Sequence, residues 1–302
     1  MNNFFKKYDK PLFIVLFLVC LLPQVTPAIA LFIGLAFALT LGQPYPKFSK
    51  KTSKYLLQFS VVGLGFGMNL HESLQAGKEG MIFTIISVAS VMIIGFLIGK
   101  WLHVNKKTSY LISSGTAICG GSAIAAVAQM SVSLGTIFIL NAIALFIFPP
   151  IGHLLNMTQE QFGLWAAIAI HDTSSVVGAG AAYGQKALEV ATMVKLTRAL
   201  WIIPLAFVTT FIFKEKSNKV SIPWFILFFV LAMIANTYLS IPENISGSIV
   251  WAAKKGLTVT LFLIGAGLSR QVLKHVGIKP LVQGVMLWIF IGLMSLAVVL
   301  YI

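Results

Sequence analysis

Long apolar stretches follow one another along the chain, separated by short polar connections. A helix that crosses a bilayer needs about 20 predominantly apolar residues. The pattern therefore predicts eleven membrane segments, with approximate bounds 11–24, 27–42, 55–71, 81–100, 108–129, 133–151, 162–184, 189–213, 222–241, 250–269 and 280–301. No connection is long enough for a soluble domain, so we interpret residues 1–302 as one transmembrane domain of the all-α, polytopic class.

The composition narrows the class of protein further. Hydrophobic residues make up 58% of the chain and charged residues 10%, whereas soluble domains have about 45–50% and about 25%. The mean hydropathy is +0.92. These values exclude a disordered chain, a nucleic-acid-binding domain and an ordinary cytosolic enzyme. The two cysteines, Cys20 and Cys119, lie in apolar stretches, so we expect no metal site and no cofactor.

The net charge of +14 is mainly a signal of topology. Lysine and arginine collect on the cytoplasmic side of membrane proteins. With a cytoplasmic N-terminus, sixteen of the 22 basic residues fall inside, four fall outside, and Lys195 and Arg198 lie within a segment. We therefore predict a multi-pass protein of the cell (inner or plasma) membrane. Its partners are the lipid bilayer and a small solute, and not nucleic acid.

Glycines and small polar residues cluster inside segment 108–129. The candidate substrate-binding residues in this cluster are Gly115, Thr116, Cys119, Gly120, Gly121 and Ser122. Each glycine costs about 1 kcal/mol relative to alanine in a helix interior, and irregular backbone at membrane depth is tolerated only in protein or beside a wet cavity. We interpret the cluster as a broken helix whose N–H and hydroxyl groups face an anion. Close helix packing through small residues is the alternative.

A second polar cluster interrupts segment 162–184. It contains His171, Asp172, Thr173, Ser174 and Ser175, and Asp172 is the only carboxylate well inside any segment. An acid at mid-membrane costs about 2.5–3.5 kcal/mol on insertion scales and indicates a functional site. We predict ion coupling for Asp172 and His171, and substrate binding for the three hydroxyl residues. Alternatively, Asp172 is a structural N-cap, and His171 a hydrogen-bonded structural group.

Lys195 and Arg198 form the third polar feature. Their i, i+3 spacing places both on one side of a helix. A cationic wall for an anionic substrate, paired to Asp172, is one interpretation, because arginine binds oxyanions with two parallel hydrogen bonds. Snorkelling of both side chains to the outer interface is the other.

Two weak internal similarities point to an inverted repeat. At an offset of 200, residues 57–77 match residues 257–277, and the two segments run antiparallel, as inversion requires. At an offset of 56, residues 123–140 match residues 179–196. This second match favours inversion only if segments 108–129 and 162–184 are re-entrant hairpins from opposite faces. Nine spans plus two re-entrant hairpins is therefore the alternative architecture.

Four elements together resemble the YeiH-type sulfate exporter family. They are VGLGFGMNL at 62–70, GTAICGGSAI at 115–124, KLTR at 195–198 and IGAGL at 264–268. The resemblance covers nearly the whole chain and implies a relation to bile acid/sodium symporters and cation/proton antiporters. It implies a core domain with crossed, broken helices beside a flatter panel domain. The chain departs from a sodium symporter in lacking a cluster of intramembrane carboxylates and amides, which disfavours sodium coupling.

The expected function is secondary active transport of a small anion of the sulfate, sulfonate or carboxylate class. We expect an exporter that is proton- or sodium-coupled and works by alternating access. An uncoupled anion channel or facilitator is the first alternative. An intramembrane enzyme using His171 and Asp172 is the second, and we expect no enzyme because nothing resembling a nucleophile elbow or metal-ligand pair is present. A homodimer is left open.

Overall fold

The computed structural model describes residues 9–118, 120, 131–199, 201, 224–239, 241–267 and 277–301. Within these ranges every regular element is a helix, which confirms the all-α class. The helices are α1 (Asp9–Val19), α2 (Pro27–Thr40), α3 (Pro46–Gly65), α4 (Leu70–Trp101), α5 (Lys106–Ala117), α6 (Ser131–Leu154), α7 (Gln159–Ala169), α8 (Thr173–Tyr183), α9 (Gln185–Ala199), α10 (Trp224–Tyr238), α11 (Glu243–Gly267) and α12 (Ile278–Tyr301).

Among the described residues, three helical stretches are long and apolar enough to cross a membrane: Phe83–Trp101, Glu243–Gly267 and Ile278–Tyr301. Shorter apolar helices occupy Pro27–Thr40, Ile139–Leu154 and Trp224–Tyr238. The structure therefore supports a membrane location, while the full set of eleven spans stays a prediction.

Several helices begin well before the apolar stretch that predicted them. α3 starts at Pro46 instead of residue 55, and its first turns carry lysines. α4 starts at Leu70 instead of residue 81, and α11 at Glu243 instead of residue 250. Proline is well suited to the first helical position, and lysine is a good helix former. Hydropathy marks the part of a helix that suits a bilayer and not the end of the helix.

The chain divides into two compact units, and the single domain over 1–302 stays a prediction. The first unit comprises Met1–Glu72 and Trp224–Leu273. In it, α11 packs closely against α2. A Cβ added at Gly34 would lie only 2.9 Å from the backbone nitrogen of Ala266. Reciprocally, a Cβ at Gly265 would lie 2.9 Å from the nitrogen of Leu35. Glycine at both positions allows the two backbones to touch.

Helices α3 and α11 of this unit run antiparallel. A Cβ added at Gly63 would lie 2.9 Å from the Cβ of Ala253, and a Cβ added at Gly67 would lie 2.7 Å from Cγ2 of Val250. The residue numbers rise along α3 as they fall along α11. This is the orientation that the offset of 200 predicts, and the inverted repeat itself stays a prediction.

The second unit comprises Ser73–Pro223 and Lys274–Ile302. In it, α4 packs against α5 through a glycine pair four residues apart. A Cβ at Gly95 would lie 2.7 Å from the Cβ of Ser113, and one at Gly99 would lie 2.7 Å from the Cβ of Ser109. The buried amide of Gln283 on α12 donates to the oxygen of Gly95 (3.0 Å) and to Oγ of Ser109 (2.7 Å). Small residues and one amide thus hold three helices together.

Residues 162–184 form a helical hairpin instead of the single span predicted for them. α7 and α8 have 11 residues each, or about 16 Å, which is short for a hydrocarbon core of about 30 Å. The chain turns between them through extended residues at Ile170 and Asp172. The two far ends then meet, because the ring of Tyr183 stacks 3.8 Å from that of Phe162. Its hydroxyl donates to the carbonyl oxygen of Met157 at 2.6 Å.

This fold-back is the one that the re-entrant alternative predicts for 162–184. A membrane around the hairpin stays a prediction. The counterpart segment begins as α5, which ends at Ala117. Residues 119 and 121–130 lie outside the described residues, and so does much of the repeat at an offset of 56.

Candidate functional site

The ends of two broken helices meet in the second unit. α5 ends where the N–H of Gly120 donates to the carbonyl of Gly115 at 2.8 Å. Gly120 has φ +61°, and a Cβ on it would lie 3.4 Å from the backbone carbon of His171 and 3.4 Å from the nitrogen of Asp172. We call the place where α5 and α7 end and α8 begins the crossing. The positive φ of Gly120 favours glycine at this position, which lies beside the break between α7 and α8.

The structure thus brings most of the predicted site residues together. Those it places at the crossing are Gly115, Thr116, Gly120, His171, Asp172, Thr173, Ser174, Ser175, Lys195 and Arg198. Cys119, Gly121 and Ser122 lie outside the described residues.

Lys195 of α9 is fully buried and bonds the end of α7. Its Nζ donates to the carbonyl oxygen of Ile170 at 2.6 Å and to that of Ala167 at 3.2 Å. The last carbonyls of a helix have no partner within the helix and carry the negative end of its dipole. The ammonium group therefore caps α7 both by hydrogen bonding and by charge.

Arg198 is also fully buried, and it joins the ends of both broken helices. Its Nε donates to the oxygen of Ala117 at 2.6 Å, and one Nη donates to the oxygen of Ile168 at 2.7 Å. The other Nη lies 3.4 Å from the oxygen of Thr116. The planar guanidinium can serve several acceptors at once. Snorkelling therefore does not describe either cation, since both heads lie on backbone carbonyls inside the protein.

Asp172 is the N-cap of α8, as the alternative interpretation predicted. Its carboxylate accepts from the N–H of Ser174 at 3.0 Å and from the hydroxyl of the same residue. Within the described ranges this carboxylate forms no ion pair with Lys195 or Arg198, so the expected pairing is absent there. The N-cap is confirmed, and the ion-coupling role of Asp172 stays a prediction.

Asn141 of α6 is a residue that the sequence analysis missed. It is buried, and its Oδ1 accepts from the backbone N–H of His171 at 3.0 Å and that of Asp172 at 3.2 Å. The amide thereby satisfies the two donors that the break between α7 and α8 exposes. The available signal was an isolated amide within the apolar segment 133–151.

Several buried polar atoms around the crossing have no hydrogen-bond partner in the described part of the chain. They are Nδ2 of Asn141, Oγ1 of Thr116, and Nδ1 and Nε2 of His171. Leaving such a group unsatisfied costs about 1–3 kcal/mol, and native proteins rarely do so without a reason. Unmet hydrogen-bonding capacity of this kind suits a polar ligand. No group of three potential metal ligands is found among the described residues.

Comparison with known proteins identifies the family. The model of the family described as conserved hypothetical protein 698 matches residues 12–284. A UPF0324 membrane protein of Bacteroides thetaiotaomicron is 66% identical over 289 residues, covering 92% of this chain and 87% of the relative. One from Porphyromonas gingivalis is 57% identical, covering 92% and 88%, and one from Bdellovibrio bacteriovorus is 46% identical, covering 97% and 95%. No solved structure matches. The chain therefore belongs to the conserved hypothetical protein 698 family of UPF0324 membrane proteins.

Proposed function

We propose that the protein is a secondary active transporter of a small anion of the sulfate, sulfonate or carboxylate class. One observation carries this proposal: two fully buried cations and several unpartnered polar side chains meet where two broken helices end. A binding site between discontinuous helices is the arrangement that many secondary transporters use. Ionisable groups buried in membrane segments mark substrate and ion pathways.

The electrostatics of the crossing favour a negatively charged solute. Lys195 and Arg198 hold two positive charges in place through their carbonyl bonds, so the positive charge needs no side-chain rearrangement when a solute arrives. Charges in a poorly solvated interior interact far more strongly than in water. Asp172 supplies one negative charge nearby, at the N-terminus of α8.

Asp172 is the proposed coupling residue, with His171 as the second candidate. In the described chain the carboxylate bonds only to Ser174, so protonation leaves the carbonyl bonds of Lys195 and Arg198 in place. We favour coupling to protons over sodium, because the sequence lacks the cluster of intramembrane carboxylates and amides of a sodium symporter. Alternating access then exposes the crossing to one side of the cell membrane at a time.

The motifs at 62–70, 115–124, 195–198 and 264–268 support export as the direction, through the resemblance to YeiH-type sulfate exporters. The same resemblance supports a relation to bile acid/sodium symporters and cation/proton antiporters. The distribution of lysine and arginine along the sequence supports a cytoplasmic N-terminus.

Flux in proteoliposomes tests the proposal. Purified protein is reconstituted and loaded with radiolabelled sulfate, methanesulfonate or acetate, and an imposed pH gradient is switched on or off. We expect saturable flux that proceeds against the solute gradient when the pH gradient is present and that stops on addition of a protonophore. Protein-free liposomes are the control. Flux that only runs downhill and does not saturate would establish the uncoupled channel instead, and absence of flux for all three anions would overturn the proposal.

A further inference from the structure

The amide of Asn141 has a fixed orientation at the crossing. Two backbone N–H groups, those of His171 and Asp172, lie 3.0 and 3.2 Å from its Oδ1. Backbone N–H groups can only donate, so the atom facing them must be the amide oxygen and not the nitrogen. The NH₂ group of Asn141 is therefore turned away from the peptide between α7 and α8, with two hydrogens to donate.

Nothing in the described chain accepts those hydrogens. Nδ2 of Asn141 is buried without a partner. Carbonyls that close the broken helices already accept from the two cations: Ala167 and Ile170 from Lys195, and Ala117 and Ile168 from Arg198. The buried hydroxyl of Thr116, one residue before the end of α5, is in the same situation. Each of these two groups is free to donate to an acceptor oxygen from outside the described chain.

We propose that Nδ2 of Asn141 and Oγ1 of Thr116 hydrogen-bond an oxygen-bearing anion, making Asn141 a substrate-binding residue. This inference rests on the proposed function and assigns its direct contacts. Lys195 and Arg198 act on the anion through their charge, while their hydrogen bonds to Ile170 and Ala117 stay on the helix ends. The ligand class is a small carboxylate, sulfonate or sulfate, since each presents acceptor oxygens and no donor.

The same geometry argues against Asn141 as a ligand of the coupling ion. A cation needs oxygen ligands with free lone pairs, and the one side-chain oxygen of Asn141 already accepts two N–H groups. Asn141 is accordingly a ligand for the anion and not for sodium.

Asn141→Asp tests the inference with little change in shape. Either carboxylate oxygen can accept the two backbone N–H groups, while the donating NH₂ becomes a negatively charged acceptor. Binding of sodium methanesulfonate, sulfate and acetate to purified full-length protein is measured by calorimetry at constant ionic strength. We expect the dissociation constant of the best of these three to rise by at least about tenfold, since tenfold corresponds to about 1.4 kcal/mol.

Asn236→Asp is the matched control. Asn236 lies on α10 of the other unit, and its Nδ2 is 3.4 Å from the carbonyl of Met68. The substitution makes the same chemical change away from the crossing, and the dissociation constant should move by less than about twofold.

Thr116→Val is the second variant, and it keeps the inference testable if Asn141→Asp does not fold. The Thr116 hydroxyl has no partner to lose, so the valine variant should fold, and its dissociation constant should rise about threefold or more. If wild type binds an anion and neither variant weakens that binding, the contacts assigned here are wrong and the proposed function stands. If wild type binds none of the three anions, both the inference and the proposed function fail.

Discussion

The Nε atom of Arg198 lies 2.6 Å from the carbonyl oxygen of Ala117, across a sequence separation of 81 residues. The same guanidinium donates to Ile168 at the end of α7. One side chain thereby completes the ends of two helices that would otherwise present bare carbonyls inside the protein. Arg198 therefore joins the ends of α5 and α7 structurally, independently of its proposed role in solute binding.

Replacing Arg198 with lysine should destabilise the protein. Lysine keeps the charge but not the planar group that serves Ala117 and Ile168 together. Hydrogen bonds to charged groups contribute about 1.5–3 kcal/mol each, so we expect a loss of about 2 kcal/mol. Thermal unfolding in detergent, followed by circular dichroism, measures it.

Lys186→Gln is the control for that loss. Lys186 lies 3.9 Å from Glu189 with its side chain 38% exposed, and exposed ion pairs are worth about 0–1 kcal/mol. Equal melting temperatures for Arg198→Lys and the wild type would show that the hydrogen bonds of the guanidinium to Ala117 and Ile168 do not contribute to stability.

Two substitutions of Asp172 distinguish its role as the N-cap of α8 from its proposed role in proton coupling. Asparagine caps a helix about as well as aspartate, whereas alanine costs about 1 kcal/mol. Asp172→Asn should therefore unfold at nearly the wild-type temperature and yet lose pH-driven flux, because it cannot take up or release a proton. Asp172→Ala should lose both. Wild-type rates of pH-driven flux in a folded Asp172→Asn protein would remove Asp172 from the coupling mechanism.

If α7 and α8 form a re-entrant hairpin, its two outer ends should be accessible from the same side of the membrane. Glu160 lies in the first turn of α7 and Gln185 lies just after α8, so both are near the ends of the hairpin that meet at Tyr183, and both are exposed. Single cysteines at these two positions, in a background with Cys20 and Cys119 replaced by serine, should react with a membrane-impermeant maleimide from the same side of intact cells. Lys50→Cys, exposed on the predicted cytoplasmic side, provides the reference. Labelling of the two positions from opposite sides would mean a full span.

The contact between α4 and α5 should tolerate no side chain at Gly99. A Cβ there would lie 2.7 Å from the Cβ of Ser109, and overpacking of this kind costs about 1–3 kcal/mol. Gly99→Ala should lower the melting temperature accordingly. Gly247→Ala is the opposite case, since no atom lies within 4 Å of its Cβ position, and alanine should stabilise α11 by about 1 kcal/mol. A higher melting temperature for Gly99→Ala would contradict the packing.

The sequence was sufficient to predict the helical class and the chemistry of the second break. Asp172 followed by threonine and serine indicated an N-cap, because that requirement is local to four residues. The spacing of Lys195 and Arg198 placed both on one face of a helix, and the structure turns that face toward the crossing.

The partners of these residues were not predictable in the same way. Nothing near Arg198 in the sequence identifies Ala117 as its acceptor, since that contact depends on how helices pack and not on local pattern. Asn141 was overlooked because a single amide barely changes the hydropathy of segment 133–151. Its importance appears only when the turn at Ile170 and Asp172 exposes two N–H groups beside it.

The separation between Ala117 and Arg198 also sets an order for biosynthesis. The end of α5 leaves the ribosome long before α9, which carries the donor for its carbonyls 81 residues later. Bare carbonyls are costly in hydrocarbon, so we expect a first break at the predicted membrane depth to stay hydrated or within the insertion machinery until α9 arrives. On that prediction, the nascent chain does not complete its membrane segments strictly one at a time.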